Sequence, residues 1–182
     1  MTVEHKVPFA RAYWIVPGKL MGGCYPGDRS PAEAEAKLRG LLSCGVSHIV
    51  NLMEENEVDH DGLRFVPYQE NFQRFASESG VQTSCVRYPI RDMSVTTREH
   101  MRVILDDIDA AIAAGQTVYL HCWGGVGRTG TVAACYLARH ALTGGRDVLT
   151  YLAELRRQVY PYRPAPESED QRAMARSWKK GE

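Results

Sequence analysis

The stretch TVYLHCWGGVGRTGTVAACYLARHAL, residues 117–142, joins a short apolar run, a glycine-rich turn and a segment rich in small residues. The run TVYLH is typical of a buried strand, and the small residues after the glycines suit a helix packed closely on a sheet. A helix N terminus that follows such a turn binds anions, because its first N–H groups lack partners and its dipole favours negative charge. We therefore predict an anion-binding loop at residues 121–130.

The flanking sequence alternates strand-like and helix-like segments. Strands are predicted at residues 12–16, 47–52, 86–90 and 117–121, and LMGG after Pro17-Gly18 can pair with the first of them as a hairpin. Helices are predicted after Ser30, after Thr96 or Thr97, after the glycine-rich turn, after Gly144-Gly145, and from about Glu167. This order predicts a single α/β domain over residues 1–182, with a mostly parallel mixed sheet of four to five strands flanked by helices.

Residues 53–80 fit this alternation least well. EENEVDHDG is charged and turn-like, and NFQRFASES has the composition of a short helix. We expect a surface excursion that helps to shape a pocket.

Composition excludes several classes of protein. The 182 residues carry 22 basic and 22 acidic side chains, so the net charge is zero and no basic excess points to nucleic acid. The start, MTVEHKVPFARAYW, lacks the apolar region of a signal peptide, and no apolar run is long enough to span a membrane. Five cysteines without a CxxC pair are typical of reduced thiols, and we expect a cytoplasmic monomer with no metal, no cofactor and no membrane contact.

Two nucleotide-binding interpretations of the loop fail. Gly125, Gly127 and Gly130 spell G-x-G-x-x-G, but that fingerprint needs a second strand ending in an acidic residue about 20 positions on. Asp147 lies near that distance and instead opens a helix. A Walker A loop is excluded because no G-K-[ST] occurs.

The reactive side chains of the loop suit phosphate cleavage. A thiolate is the nucleophilic form of cysteine, and both the positive end of a helix and Arg128 favour the thiolate of Cys122. The same amides and guanidinium can hold a phosphate over the sulfur, and the planar fork of Arg grips two of its oxygens.

HCWGGVGRTG carries the H-C-x5-R-[ST] signature and resembles the cysteine-dependent protein tyrosine and dual-specificity phosphatases, especially kinase-associated phosphatase-like and small bacterial members. The resemblance implies that Cys122 is the nucleophile of a phosphocysteine intermediate. It also implies that Thr129 hydrogen-bonds the sulfur and that His121 orients the loop without acting as a base. The phosphate cradle it implies consists of Trp123, Gly124, Gly125, Val126, Gly127 and Arg128.

The resemblance also implies a proton donor upstream. Asp92, in YPIRDMSVTT, lies 30 positions before Cys122 and just past a strand end, where the family carries its acid. A turn Asp that binds nearby amides is the alternative. RPAPESEDQ resembles the segment that places a water-positioning Gln, which makes Gln171 a candidate, although a helix start with an acidic first turn explains the same residues.

The implied substrate is a phosphorylated protein or peptide, with phosphotyrosine first and phosphoserine and phosphothreonine left open. A phosphatase of inositol phosphates or phosphoinositides is an alternative, but such relatives tend to place Lys inside the loop, and residues 123–127 are uncharged. An inactive phosphate-reading module is the alternative from another class. Such modules usually lack the Cys, the Arg or the acid, and candidates for all three are present here.

Overall fold

The computed structural model describes residues 6–182, and they form a mixed α/β fold. Residues 1–5, the start of the stretch for which we expect no leader, lie outside the described residues. The strands are β1 (Ala12–Val16), β2 (Leu20–Gly23), β3 (Val46–Asn51), β4 (Ser84–Arg87) and β5 (Thr117–His121). The helices are α1 (Pro31–Ser43), α2 (Gln69–Ser77), α3 (Arg98–Ala113), α4 (Gly127–Arg139), α5 (Val148–Leu155) and α6 (Glu169–Ser177).

The five strands form one sheet in the order β1-β2-β5-β3-β4. β1 and β2 pair antiparallel, and the pairs β2-β5, β5-β3 and β3-β4 are parallel. The predicted α/β fold with a mostly parallel mixed sheet is therefore confirmed, and so is the hairpin at its edge.

The fourth strand begins and ends earlier than the predicted 86–90. The chain beyond Arg87 still lies beside β3, because the amides of Tyr88 and Ile90 donate to carbonyls of Asn51 and Leu52 at 2.9 and 3.0 Å. Between these two donors the donor position advances by two residues but the acceptor by only one, so the regular pairing with β3 is lost and the strand ends. Pro89 fits here because its nitrogen faces the open side of this edge strand.

Side-chain caps begin most of the helices where the sequence predicts. Ser30 caps α1 with Pro31 in its first turn, Thr97 caps α3 and Asp147 caps α5. At α6, Ser168 and Gln171 form a reciprocal capping box, so the helix begins two residues later than the predicted Glu167. No helix among residues 6–182 is both long and apolar enough to cross a membrane.

Helix α4 lies against the sheet and contacts both α5 and α6. Every residue from Gly127 to Leu137 is buried. The small residues permit this close packing, since a Cβ added at Gly130 would lie 3.0 Å from the Cβ of Ala165. A helix enclosed in this way holds its N terminus rigidly at the end of β5.

The parallel strands place the candidate residues on one edge of the sheet. The carboxyl ends of β2, β5, β3 and β4 meet there, because parallel strands end on the same side. The segments that leave these ends contain Tyr25, Cys122, Glu57 and Asp92, respectively. Residues scattered over almost a hundred positions are thus brought into one site.

Candidate active site

The signature loop, residues 122–128, comprises the segment that joins β5 to α4 and the first two residues of α4. Its carbonyls are held from outside: the amide of Tyr25 donates to Trp123 O at 2.9 Å, and the Tyr160 hydroxyl donates to Gly124 O at 2.6 Å. Gly125 has a φ of +72°, and a Cβ there would lie 2.5 Å from the carbonyl carbon of Gly23. Only glycine fits that position.

The amides of the loop are free of protein partners. Within residues 6–182, the N–H groups of residues 123–126 donate to no backbone or side-chain acceptor. Successive unpaired amides next to a helix N terminus form a concave anion site. The amides of Trp123, Gly124, Gly125 and Val126, all of them in the predicted cradle, thus form a row of donors without protein acceptors among the described residues.

Cys122 immediately precedes this row of amides. It follows the last residue of β5, is separated from the first residue of α4 by four residues, and is 3% exposed. Cys24, Cys44, Cys85 and Cys135 are also free thiols, but none of them lies in the loop.

Arg128 shares its five N–H groups among three directions. Nη1 and Nη2 donate to Oε2 and Oε1 of Glu57, each at 2.7 Å, and Nη1 also donates to the carbonyl of Ile90 at 3.0 Å. Nε is buried without a partner among the described residues. A guanidinium has five donors, so the Nε–H and the second Nη2–H remain and lie on one edge as a fork. The Nε–H has no protein partner, whereas Nη2 also lies 3.0 Å from Asp92 Oδ1.

Charge and burial have opposite effects on the pKa of Arg128. Burial alone would lower the pKa of its guanidinium, but the hydrogen bonds to Glu57 and the charges of Cys122, Glu57 and Asp92 raise that pKa above its ordinary value. The side chain is 1% exposed and stays charged. A fixed, desolvated cation with one open edge is well suited to hold an oxyanion.

Asp92 lies on the loop between β4 and α3, residues 91–97, which we name the acid loop. Its Oδ1 is 3.0 Å from Nη2 of Arg128, while its carboxylate remains 49% exposed. The next residue, Met93, has a φ of +58°, which is uncommon for a residue with a side chain. The predicted acid is thus brought from 30 positions upstream to the open edge of the fork.

His121 is fully buried, and its ring nitrogens are both engaged. Nδ1 lies 3.1 Å from the Cys122 carbonyl, which can only accept, so Nδ1 carries the proton and donates. Nε2 then accepts from the Tyr68 hydroxyl at 2.6 Å. Burial lowers the pKa of His121 to about 3, so the ring is neutral, and its contact with the loop is to the backbone of Cys122.

Among the described residues, Thr129 lacks the hydrogen bond that the resemblance implies, and the side-chain amide of Gln171 is hydrogen-bonded within the protein. The Thr129 hydroxyl is buried and has no hydrogen-bond partner among the described residues, so the expected bond to the sulfur is not formed in this structure. Gln171 Oε1 accepts from the amides of Glu167 and Ser168, and its Nε2 donates to Ser94 O at 3.1 Å. The Gln171 amide therefore links α6 to the acid loop.

The side chain of Trp123, a residue of the predicted cradle, lines a cavity. Its half-buried ring contacts His60 and Phe65, with ring centroids 4.4 and 5.4 Å away. These rings, together with Tyr25, line a cavity of about 340 Å³. His60 and Phe65 belong to the 53–80 segment, which was expected to shape a pocket.

Sequence reasoning missed Glu57, Tyr25 and Tyr160. Glu57 is one of four acidic side chains among residues 54–59, and nothing in that run distinguishes it. Tyr25 acts through its backbone, and Tyr160 follows a helix that the sequence places with no relation to the loop. Their contacts depend on tertiary structure, so no local pattern announces them.

Comparison with known proteins identifies the family of the chain. The sequence model PTP-SAK, described as Swiss Army Knife protein, DSP-PTPase phosphatase domain, matches residues 9–179. Dual specificity protein phosphatase CDC14C of Homo sapiens is 25% identical over 135 residues, which cover 70% of this chain and 26% of the human protein. The chain spans less than half the length of the curated relatives it matches.

Two solved structures share the fold. A kinase-associated phosphatase (KAP) whose catalytic-site cysteine is replaced by serine has a TM-score of 0.64 and 18% identity, with 94% of each chain covered. PTPMT1 in complex with PI(5)P has a TM-score of 0.63 and 17% identity, with 92% of this chain and 93% of the other covered. The match of the family model over nearly the whole chain decides the assignment: this chain belongs to the DSP-PTPase phosphatase domain family.

Proposed function

We propose that this chain hydrolyses phosphotyrosine in proteins, and phosphoserine and phosphothreonine as well, through a phosphocysteine on Cys122. The observation that carries the proposal is the set of donors without protein partners beside that residue. These are the amides of residues 123–126 and the Nε–H of Arg128. A site that offers only donors selects a group that only accepts, and a phosphate dianion is such a group.

In the first step, the Cys122 thiolate attacks phosphorus from the floor of the cradle. The S–P bond forms as the P–O bond to the leaving group breaks, and Asp92 gives its proton to the departing oxygen. The position of Asp92 supports this role, since it lies 3.0 Å from the open edge of Arg128 and remains exposed to the side from which a substrate enters.

In the second step, water attacks phosphorus on the side that the leaving group has vacated. The Asp92 carboxylate takes a proton from that water, the S–P bond breaks, and inorganic phosphate and the thiolate are released. We assign to the Thr129 hydroxyl the stabilisation of the leaving sulfur. It is buried next to Arg128 with its hydrogen-bonding capacity unused, which supports the assignment.

Aromatic side chains beside the cradle support phosphotyrosine as the first substrate. Tyr25, His60, Phe65 and Trp123 line the adjoining cavity and can contact a phenyl ring. Phosphoinositides are the second candidate, because PTPMT1, solved with PI(5)P, has the same fold. Residues 123–127 are uncharged, however, and offer no extra cation to a polyphosphate.

The test is a substrate panel with a matched pair of variants. Wild type, Cys122→Ser and the control Cys44→Ser are assayed on p-nitrophenyl phosphate, phosphotyrosine, phosphoserine and phosphothreonine peptides, and an inositol polyphosphate. We expect turnover of the phosphotyrosine peptide, its loss in Cys122→Ser and its retention in Cys44→Ser. Turnover by Cys122→Ser refutes the mechanism, and a preference for the inositol polyphosphate refutes the substrate.

We further propose one phosphatase domain over residues 1–182, acting as a cytoplasmic monomer on phosphorylated proteins. The continuous five-stranded sheet supports the single domain. The five free cysteines support a reducing compartment.

A further inference from the structure

Tyr160 contacts the signature loop from the side opposite to the phosphate cradle. It lies five residues beyond α5, and its hydroxyl donates to the carbonyl of Gly124 at 2.6 Å. Burial, as the main cause, raises the pKa of Tyr160 to about 12, so the hydroxyl remains protonated and able to donate. Nothing in the signature motif requires this residue.

The direction of one loop carbonyl fixes the direction of the next amide. A trans peptide is planar, and its C=O and the following N–H point in opposite directions. Because Gly124 O faces Tyr160, the N–H of Gly125 faces away from Tyr160, where it has no protein acceptor within residues 6–182. The bond to Tyr25 directs the N–H of Gly124 in the same way.

This peptide needs an external restraint because glycine flanks it on both sides. Gly125 must be glycine, since a Cβ there would lie 2.5 Å from the backbone of Gly23. Glycine accepts positive and negative φ almost equally, so the sequence that admits the phosphate leaves the 124–125 peptide poorly oriented. One hydrogen bond from outside the loop restores a single orientation.

Arg156 holds Tyr160 in place. Its guanidinium carbon lies 4.8 Å from the centre of the Tyr160 ring, and its Nη1 donates to the Arg163 carbonyl at 3.1 Å. The amide of Tyr160 donates to the Arg156 carbonyl at 2.8 Å. Arg156 is itself buried, so the turn at residues 156–163 has little freedom to move.

We propose that Tyr160 is a positioning residue for catalysis, because its hydroxyl holds the Gly124 carbonyl outward and thereby aims the Gly125 amide at the phosphoryl oxygens and the Cys122 sulfur. The inference rests on the proposed function, since it assigns the loop amides to the bound phosphate. Tyr160 touches neither substrate nor sulfur, and it acts through the peptide that it orients.

The test compares Tyr160→Phe with Tyr162→Phe. The first variant keeps the ring against Arg156 and removes one hydroxyl. The second removes the same atom two positions away, from a residue that is 96% exposed. Three quantities are measured: kcat/KM for p-nitrophenyl phosphate, the inhibition constant of inorganic phosphate, and the pH at which iodoacetamide inactivation of Cys122 reaches half its maximal rate. Thermal unfolding reports on the fold.

In Tyr160→Phe we expect kcat/KM to fall by at least about tenfold and phosphate inhibition to weaken by a similar factor, as for the loss of one preorganised donor to an oxyanion. The half-maximal pH for inactivation shifts upward, because one amide no longer stabilises the thiolate. Tyr162→Phe matches wild type in all three.

The inference is overturned if Tyr160→Phe matches Tyr162→Phe in these quantities, even with a lowered melting temperature. That outcome differs from failure of the proposed function, in which Cys122→Ser itself retains turnover.

Discussion

Replacing Glu57 with Gln tests how the phosphate-binding fork of Arg128 is held. Glu57 accepts from both Nη1 and Nη2 at 2.7 Å. The carboxylate is 10% exposed and the guanidinium 1%, so the pair belongs to the buried regime. Gln has nearly the same shape, but it turns an NH₂ group towards an N–H donor and removes the negative charge. One of the two hydrogen bonds is lost, and Arg128 keeps only the half-exposed Asp92 as a carboxylate partner.

The size of the effect follows from burial. A hydrogen bond to a charged group contributes about 1.5–3 kcal/mol, and breaking a buried ion pair from one side costs about 3–5 kcal/mol. We expect the free energy of unfolding to fall by about 3 kcal/mol. In a protein of this size, the melting temperature then falls by roughly 6–12 °C. Because the fork loses its fixed direction, kcat should fall about 10- to 100-fold, equivalent to about 1.4–2.7 kcal/mol in the barrier.

Two assays and one control decide this prediction. Urea unfolding gives the stability, and p-nitrophenyl phosphate turnover gives kcat. Glu55→Gln makes the same chemical change two positions away at an exposed side chain, and it should leave both quantities near wild type. If Glu57→Gln behaves like Glu55→Gln in stability and in kcat, the ion pair does not hold the fork and the reasoning is wrong.

Substitutions at three other residues have specific expected outcomes. Asp92→Asn should lower kcat about 10²- to 10⁴-fold for substrates with poor leaving groups and should flatten the pH–rate profile. An unchanged profile would show that another residue is the general acid. Arg128→Lys should lower kcat/KM severely, because an ammonium cannot hydrogen-bond Glu57 and a phosphate at the same time as the planar guanidinium can. A near-normal kcat/KM would contradict the proposed role of Arg128 in phosphate binding. Since burial lowers the pKa of His121 to about 3, the unfolded chain binds a proton that the folded chain refuses between about pH 6.5 and 3. As the pH is lowered from about 6.5 to 3, the free energy of unfolding should therefore decrease by up to about 1.4 kcal/mol per pH unit. In urea unfolding, His121→Asn should flatten this pH dependence, and equal slopes for wild type and variant would show that the buried ring does not cause it.

The fold was predictable because its local signals agree with its tertiary structure. TVYLH is an uninterrupted apolar run, and it forms β5 with the predicted bounds. Thr97 caps a helix whose apolar positions recur at helical spacing, and Met101, Ile104, Leu105 and Ile108 are buried as that spacing predicts. The main misplacement is β4, because the regular pairing with β3 is lost between Tyr88 and Ile90 inside a run that otherwise resembles a strand.

The sequence indicates the candidate reactive residues of the site, but not the residues that hold them in place. Cys122 and Arg128 are candidates because of the signature motif, and Asp92 because the family resemblance implies an acid about 30 positions upstream; the fold brings Asp92 to 3.0 Å from Arg128. Glu57 does not, since its partner is 71 positions away and the acidic run around it has no periodicity. Gln171 matched a segment that positions water, yet its amide hydrogen-bonds the N terminus of α6 and Ser94. In each case a contact made only in the folded chain decides what the side chain does.

A carboxylate on the phosphate-binding arginine appears to oppose anion binding, but the geometry resolves the conflict. Glu57 binds the end of the guanidinium and Asp92 lies 3.0 Å from Nη2, but the Nε–H has no protein partner among the described residues. In the proposed mechanism the phosphate binds on the Nε side, so it and Glu57 use different edges of one cation. A lone buried guanidinium would be costly to desolvate, and Glu57 reduces that cost while fixing the plane of the fork. Further positive charge in the loop would deepen the anion site, but the uncharged residues 123–127 supply none. In this neutral chain, the proposed affinity for phosphate therefore depends on how the loop amides and one arginine are oriented. Glu57 fixes the orientation of the arginine, and Tyr160 fixes that of a loop amide.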